Sequence, residues 1–509
     1  MIDLDAVLLI SSVVLIAAIL AARVGTRFGL PALLVFLGIG MVLGDSVIGI
    51  HFDNADVAQA IGFGALVLIL AEGGLTTKWS NIKAATGVAI MLASVGVGAS
   101  VAAVAVFAHF VLGLDPWMAV LLGAVTSPTD AAAVFAVLRR VPLPHRLRGI
   151  LEAESGLNDA PTVLIVTLAS AAAAGHPAHG GVPVMLVLIV VELLGGLAIG
   201  AALGWLGVQL LKRIKLPSSG LYALATLGWT VLAFAVAGQI HTSGFAAVYV
   251  CGLLLGNANL PFRMATRSFV EGVGWIAQIG LFVMLGLLAS PDRLNLSDVG
   301  IAVSAGLFLT VVARPLSVWL TTVWFRVGWR DQIFLSWAGL RGAVPIVLCT
   351  IPLATGVPHA TKLFDVVVIF VIIFTVLQAP ALPWAAARLG LSDRHQATDV
   401  DVEVAPLERV AADLLQVKVP PGSKLSGVEI GELRLGKNAA VSLIIRDQQS
   451  MVPADRERIR VGDEILIVTP SHLRDQTEER LRAIAQGGRL AAWKRPQQRQ
   501  RQRAGTEDD

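Results

Sequence analysis

Residues 119–138 read AVLLGAVTSPTDAAAVFAVL, an apolar run interrupted at its middle by Thr126-Ser127-Pro128-Thr129-Asp130. About 20 apolar residues suffice for a helix to cross the hydrocarbon core of a bilayer. Pro128 removes a backbone donor and obstructs the carbonyl one turn earlier, so the helix is expected to break there. Backbone groups freed by such a break are tolerated at membrane depth only where they line a cavity or meet a ligand. Thr129 and Asp130 place oxygen ligands at the break, so the stretch predicts a membrane helix opened for function.

The rest of the sequence agrees with that class. Apolar residues make up 55% and charged residues 15% of the 509, against about 25% charged in soluble domains. The first apolar run carries Asp3 and Asp5 ahead of it and Arg23 and Arg27 behind it. That polarity is the reverse of a signal peptide and fits a retained first helix with its N-terminus outside. Cys251 and Cys349 lie singly in apolar segments, which argues against a disulfide framework or a metal site.

Thirteen spans are expected, at roughly 4–22, 30–49, 57–75, 86–112, 117–138, 150–174, 182–211, 219–240, 242–257, 270–289, 297–325, 332–354 and 363–388. With the N-terminus outside, the inner loops hold 15 basic residues, from Arg23 to Arg330, and the outer loops hold Arg293 and Lys362. This asymmetry follows the positive-inside rule and puts the C-terminus in the cytoplasm. From about residue 404 the pattern changes. LLQVKVPPG, AAVSLIIRD and DEILIVTP alternate as strands, and HLRDQTEERLRAI is amphipathic, which predicts a small soluble α+β module. The expected domains are 1–390 in the membrane, a linker at 391–403, the module at 404–488 and a disordered polar tail at 489–509.

Two further segments put polar groups where lipid is expected. In AESGLNDAP, residues 153–161, Glu154 and Asn158 are neighbours at helical spacing, as are Ser155 and Asp159. A carboxylate near the bilayer centre costs roughly 2.5–3.5 kcal/mol on insertion scales. In FLSWAGLRGAVPIVLCT, residues 334–350, Arg341 lies between Gly339 and Gly342 with Pro345 on the next turn. A carboxylate partner is expected for it, with Glu154, Asp130 and Asp159 as candidates. A single Ser, Thr or Asn in a membrane helix is more often inter-helix glue than a ligand. The coincidence of two interrupted helices, three carboxylates and an arginine outweighs that reading and points to a transport site. With the seventh helix set aside, the interrupted fifth and twelfth occupy corresponding positions in two six-helix halves, as in inverted-repeat transporters. Glu72 sits at the inner end of the third helix, as a funnel-lining or an interfacial residue. Arg314, before Pro315, reads as a structural cation or an accessory charge near the site.

The segments TSPTDAAAVFAVL, ESGLNDAPTVLIV and GLRGAVPIVL resemble signature segments of the first family of monovalent cation:proton antiporters, the NhaP and sodium–proton exchanger group, with residues 1–390 covered. VPPGSKLSGVEIGEL with VSLIIRD and RVGDEILIV is similar to the TrkA-C (RCK C-terminal) regulatory domain. Together they resemble bacterial K+/H+ antiporters of the cell volume regulation protein A type. The resemblance implies an all-α membrane domain of the NhaA-type inverted-repeat fold, with two broken helices crossing, and a homodimer in the bacterial inner membrane. It implies that Asp159 binds the cation or the proton, with Asn158, Ser155, Thr129 and Asp130 completing an oxygen cage, and that Glu154 pairs with Arg341. It also implies a small cytoplasmic ligand for the C-terminal module.

A cation and a proton competing for one buried carboxylate predict antiport by alternating access. With Asn158 in place of a second acid, one proton exchanges for one cation, K+ or alternatively Na+. A ligand-gated K+ efflux channel is the alternative from another class, and it lacks a TVGYG-like filter run in this sequence. An enzyme is not expected, since the tail has no G-x-G-x-x-G. Neither a cofactor nor a nucleic-acid partner is expected.

Overall fold

The computed structural model describes residues 4–28, 32–45, 48–52, 54–83, 85–130, 133–134, 143–176, 181–289, 291–293, 295–391, 401–407, 412–436, 438–447, 449–470 and 473–488. The chain forms two compact units, Met1–Ser392 and Asp393–Asp509.

The first unit is helical. In chain order it runs α1 (Leu4–Phe28), α2 (Ala32–Leu43), α3 (Ala55–Thr76), α4 (Thr86–Phe110), α5 (Pro116–Thr126), α6 (Arg146–Ala173) and α7 (Gly181–Arg213). It continues with α8 (Ser219–Gln239), α9 (Gly244–Asn257), α10 (Arg263–Leu288), α11 (Leu296–Phe325), α12 (Trp329–Trp337), α13 (Ala343–Ala354) and α14 (Ala360–Arg388). Eight of these, α3, α4, α6, α7, α8, α10, α11 and α14, are long and apolar enough to cross a membrane. The unit is a multi-pass membrane protein.

Lipid tails are as apolar as leucine, so helices in a bilayer associate through close packing of small residues. Gly196 and Gly200 of α7 show this, lying against the carbonyl oxygens of Ser243 and Ala247 at the start of α9, where any Cβ would overlap. On the opposite side α9 meets α3 equally closely: a Cβ on Gly74 would stand 2.7 Å from the carbonyl oxygen of Tyr249. Asn257 closes the far end of α9, donating from Nδ2 to the Thr77 carbonyl at 2.9 Å and accepting from the Trp79 amide at 2.8 Å. α3, α7 and α9 thus form one backbone-packed block, while Val187, Val190, Val191 and Leu194 of α7 face outward.

The interruptions appear where proline and glycine require them. α5 ends at Thr126, just before Pro128, and the backbone is irregular through Asp130. Residues 133–134 are helical again, and the remainder of the expected fifth span, 135–138, lies outside the described residues. The expected twelfth span is two helices, α12 and α13, parted by the irregular stretch 338–342. α11 stays helical but widens to a π-turn over Leu309–Ala313. Pro315 cannot donate to the Val311 carbonyl, so the widened turn absorbs a lost hydrogen bond.

The second unit carries a five-stranded antiparallel sheet, β1 (Asp401–Leu407), β2 (Ala412–Lys418), β3 (Ala440–Arg446), β4 (Gln449–Met451) and β5 (Glu464–Pro470), in the order β1-β2-β5-β3-β4. Burial alternates along the central strands, so Leu415, Val417, Ile465 and Ile467 face Leu481 and Ile484 of α15 (Arg474–Gly487). β1 begins inside the stretch expected as a linker at 391–403. It is an edge strand placed by its ladder with β2, and Pro406 within it is compatible with that edge position. The expected disordered tail, 489–509, lies outside the described residues.

Candidate functional site

The two interruptions meet. The Asp130 amide donates to the Leu340 carbonyl at 2.9 Å, joining the break after α5 to the break between α12 and α13. Each break leaves carbonyls at the end of one helix and amides at the start of the next without intrahelical partners. A single side chain serves each kind. Asp130 accepts from the Ala133 amide at 3.1 Å through Oδ1 and from the Val344 amide at 3.4 Å through Oδ2. Its negative charge therefore sits at two helix starts, where the backbone dipoles favour it. Arg341 donates from Nε to the Thr126 carbonyl at 3.3 Å and from Nη1 to the Gly339 carbonyl, with its charge at two helix ends. Gly342 lets the chains approach this closely, since a Cβ there would overlap the Asp130 carboxylate.

The expected pair of Glu154 with Arg341 is corrected by this geometry. Glu154 is held by Arg314, with Nη1 2.7 Å from Oε1 and Nη2 3.0 Å from Oε2. Both side chains are buried. One charge-assisted hydrogen bond, Nη2 to Oε2, and a close ion-pair contact of Nη1 with Oε1 hold the guanidinium on the carboxylate. Arg341 is drawn instead to carbonyls that the helix breaks expose. Arg314 reaches Glu154 of α6 from the residue after the π-turn in α11.

Beside the point where the breaks meet, α6 presents the polar face expected of AESGLNDAP. Ser155 Oγ and Thr129 Oγ1 share a hydrogen bond at 3.0 Å. Asn158 donates from Nδ2 to Thr129 Oγ1 at 2.8 Å and to the Thr129 carbonyl at 3.3 Å. Asp159 lies next to this group, close enough to Asp130 for their charges to interact. Thr129, Ser155, Asn158 and Asp159 are all buried, the last only 3% exposed. Among the described residues, Oδ1 of Asn158 and Oδ1 of Asp159 have no hydrogen-bond donor. Glu72 of α3 is half-buried, and its carboxylate lies against Gly274 of α10.

Two residues escaped the sequence reading. Thr375 of α14 donates from Oγ1 to the Arg341 carbonyl at 2.6 Å and so braces the second break. A threonine in an apolar span gives no signal that separates this role from self-capping. Tyr249 of α9 packs on Gly156 of α6. Its signal is rarity, as one of 2 tyrosines in the chain.

Two helix breaks that meet, with buried carboxylates beside them, are the arrangement expected at the ion site of a secondary transporter. Residues 12–388 match the family model described as "Sodium/hydrogen exchanger, transmembrane", and residues 414–482 match the TrkA-C domain. The chain belongs to the sodium/hydrogen exchanger family and is a monovalent cation:proton antiporter. It is 33% identical over 469 residues to the K+/H+ antiporter NhaP of Alkalimonas amylolytica, covering 91% of this chain and 80% of that protein. It is 35% identical over 391 residues to the K+/H+ antiporter NhaP2 of Shewanella oneidensis, covering 76% and 67%. Its fold is similar to that of the sodium proton antiporter MjNhaP1 from Methanocaldococcus jannaschii, at 21% identity and a TM-score of 0.63, covering 74% of this chain and 97% of that one.

Proposed function

We propose that the protein exchanges K+ for H+, one for one, by alternating access at Asp159. The carrying observation is a charge count: three buried carboxylates, Asp130, Glu154 and Asp159, stand with two buried guanidiniums, Arg314 and Arg341. Arg314 answers Glu154, while Arg341 and Asp130 answer the ends of the broken helices. Asp159 is left as the one carboxylate whose charge a monovalent cation or a proton balances. Loaded with either, the site is close to neutral and crosses the barrier; empty, it carries a buried charge and resists crossing. Asn158 and Asp159 each offer an oxygen without a donor, and Ser155 and Thr129 add hydroxyl oxygens, an all-oxygen set suited to an alkali cation.

The choice of K+ follows the relatives named K+/H+ antiporters, and Na+ is the alternative. The eight long helices together with the five shorter apolar segments make thirteen crossings. Their basic loops set the N-terminus outside and the C-terminus in the cytoplasm, in the inner membrane of a bacterium. The corresponding positions of the two breaks support an inverted repeat. A homodimer, a small cytoplasmic ligand at the TrkA-C domain and a role in cation, pH and cell-volume homeostasis complete the proposal.

Replacing Asp159 with Asn tests it in proteoliposomes that report internal pH while K+, Na+ and Li+ are added in turn. Wild-type protein moves protons in response to K+ most strongly, and Asp159→Asn does not respond to any of the three. Retained exchange in the variant would overturn the assignment.

A further inference from the structure

The block of α3, α7 and α9 meets the ion-site helix α6 at Tyr249. This side chain is 3% exposed. A Cβ on Gly156 would stand 2.6 Å from its Cζ and 2.9 Å from its hydroxyl oxygen, so the ring occupies the space that any other residue at 156 would fill. The hydroxyl lies beside Thr77, at the end of α3, and interacts electrostatically with Glu152. The Asn158 amide bonds to the Glu154 carbonyl at 3.0 Å and the Thr162 amide to the Asn158 carbonyl at 3.2 Å. The four-residue ladder therefore continues across 158, and Glu152, Gly156 and Asp159 share one face of α6. Along that face Tyr249 stands one turn from Asp159 on one side and one turn from Glu152 on the other.

The ring has little freedom to leave by moving its own helix. α9 is clamped backbone to backbone by α7 and α3, with Gly200 against Ala247 and Gly74 against the Tyr249 carbonyl. The side of the contact better able to yield is α6, which presents only a bare Cα to the ring at Gly156.

We propose that Tyr249 is a gate residue that closes the passage between Asp159 and the half-buried Glu152. Ions cross there only when α6 slides off the ring at Gly156. An aromatic ring excludes the water that a cation or hydronium would need, so the closed contact keeps the two ions coupled. The hydroxyl offers an oxygen to a cation as it passes. The proposal rests on Asp159 as the exchange site.

The test measures the ratio of cation released to protons taken up in proteoliposomes, for Tyr249→Ala, Tyr249→Phe and Gly156→Ala. Opening the gate lets cations pass without protons, so Tyr249→Ala raises the ratio several-fold. Gly156→Ala raises it too, because the added methyl displaces the ring. Tyr249→Phe, which keeps the ring, restores the wild-type ratio. A purely structural role lowers both fluxes together and leaves the ratio unmoved. An unchanged ratio in Tyr249→Ala and Gly156→Ala overturns the proposal, and if Tyr249→Ala does not fold, Gly156→Ala decides alone. Asp159→Asn in the same vesicles separates the two readings: its loss of exchange upholds the site whatever the gate variants do.

Discussion

Glu154 and Asp159 are carboxylates five residues apart on one helix, both buried, with opposite situations. Glu154 is matched by both arms of Arg314. Asp159 keeps an oxygen without a donor, although it lies beside the point where the two helix breaks meet. A matched buried charge fixes structure, because breaking the match is costly in both directions. An unmatched one leaves an affinity for whatever small positive charge can reach it. The protein places both on α6, so the fixed pair holds the helix that presents the unmatched one.

Breaking the fixed side of this comparison is expected to have the largest effect on stability. Glu154→Gln strands the Arg314 charge, and removal of one partner of a buried pair costs about 3–5 kcal/mol. Thermal unfolding in detergent should show a marked loss for Glu154→Gln and partial recovery in the double variant Glu154→Gln/Arg314→Gln. A single variant as stable as the wild type would mean that Arg314 has another anchor of equal strength.

A smaller effect sharpens the comparison outside the membrane. In the C-terminal unit Asp463 accepts from Arg446 Nε and Nη2, each at 2.8 Å, and from the Arg460 amide at 2.8 Å. Burial alone would raise its carboxyl, but these hydrogen bonds outweigh burial and hold it below the ordinary carboxylate range. A group depressed on folding stabilises the fold above its unfolded value, near pH 4, and that contribution is lost as pH falls through the lower folded value. The protection of amides in β3 and β5 of the full chain, taken relative to the free-amide exchange rate at each pH, should fall on acidification below about pH 4. Arg446→Gln should bring that loss of protection to higher pH. An identical acid profile in the variant would sever Asp463 from the effect.

Much of this arrangement was legible in the sequence, for identifiable reasons. Pro128 and the Gly339–Gly342 stretch announce broken helices because backbone chemistry is local. The spacing of Glu154, Ser155, Asn158 and Asp159 announces a polar helix face because helical phase is fixed. The pairing of Arg314 with Glu154 was not legible, since three acids and two arginines allow several matchings and only tertiary placement selects one. The breaks themselves changed the answer: the carbonyls of Thr126 and Gly339 accept from an arginine for which sequence reasoning sought a carboxylate. β1 was missed because its charged, proline-containing text resembles a linker, and the ladder with β2 places it.

The central claim is that Asp159 alone, beside a neutral Asn158, sets a one-for-one exchange. It is tested most directly by driving exchange in proteoliposomes under imposed membrane potentials, for the wild type and for Asn158→Asp. The wild type should exchange at a rate and end point set by the ion gradients alone, and Asn158→Asp, with a second carboxylate, should become voltage-dependent. A wild-type exchange that shifts with membrane potential, or an Asn158→Asp protein as insensitive to it as the wild type, would contradict the account.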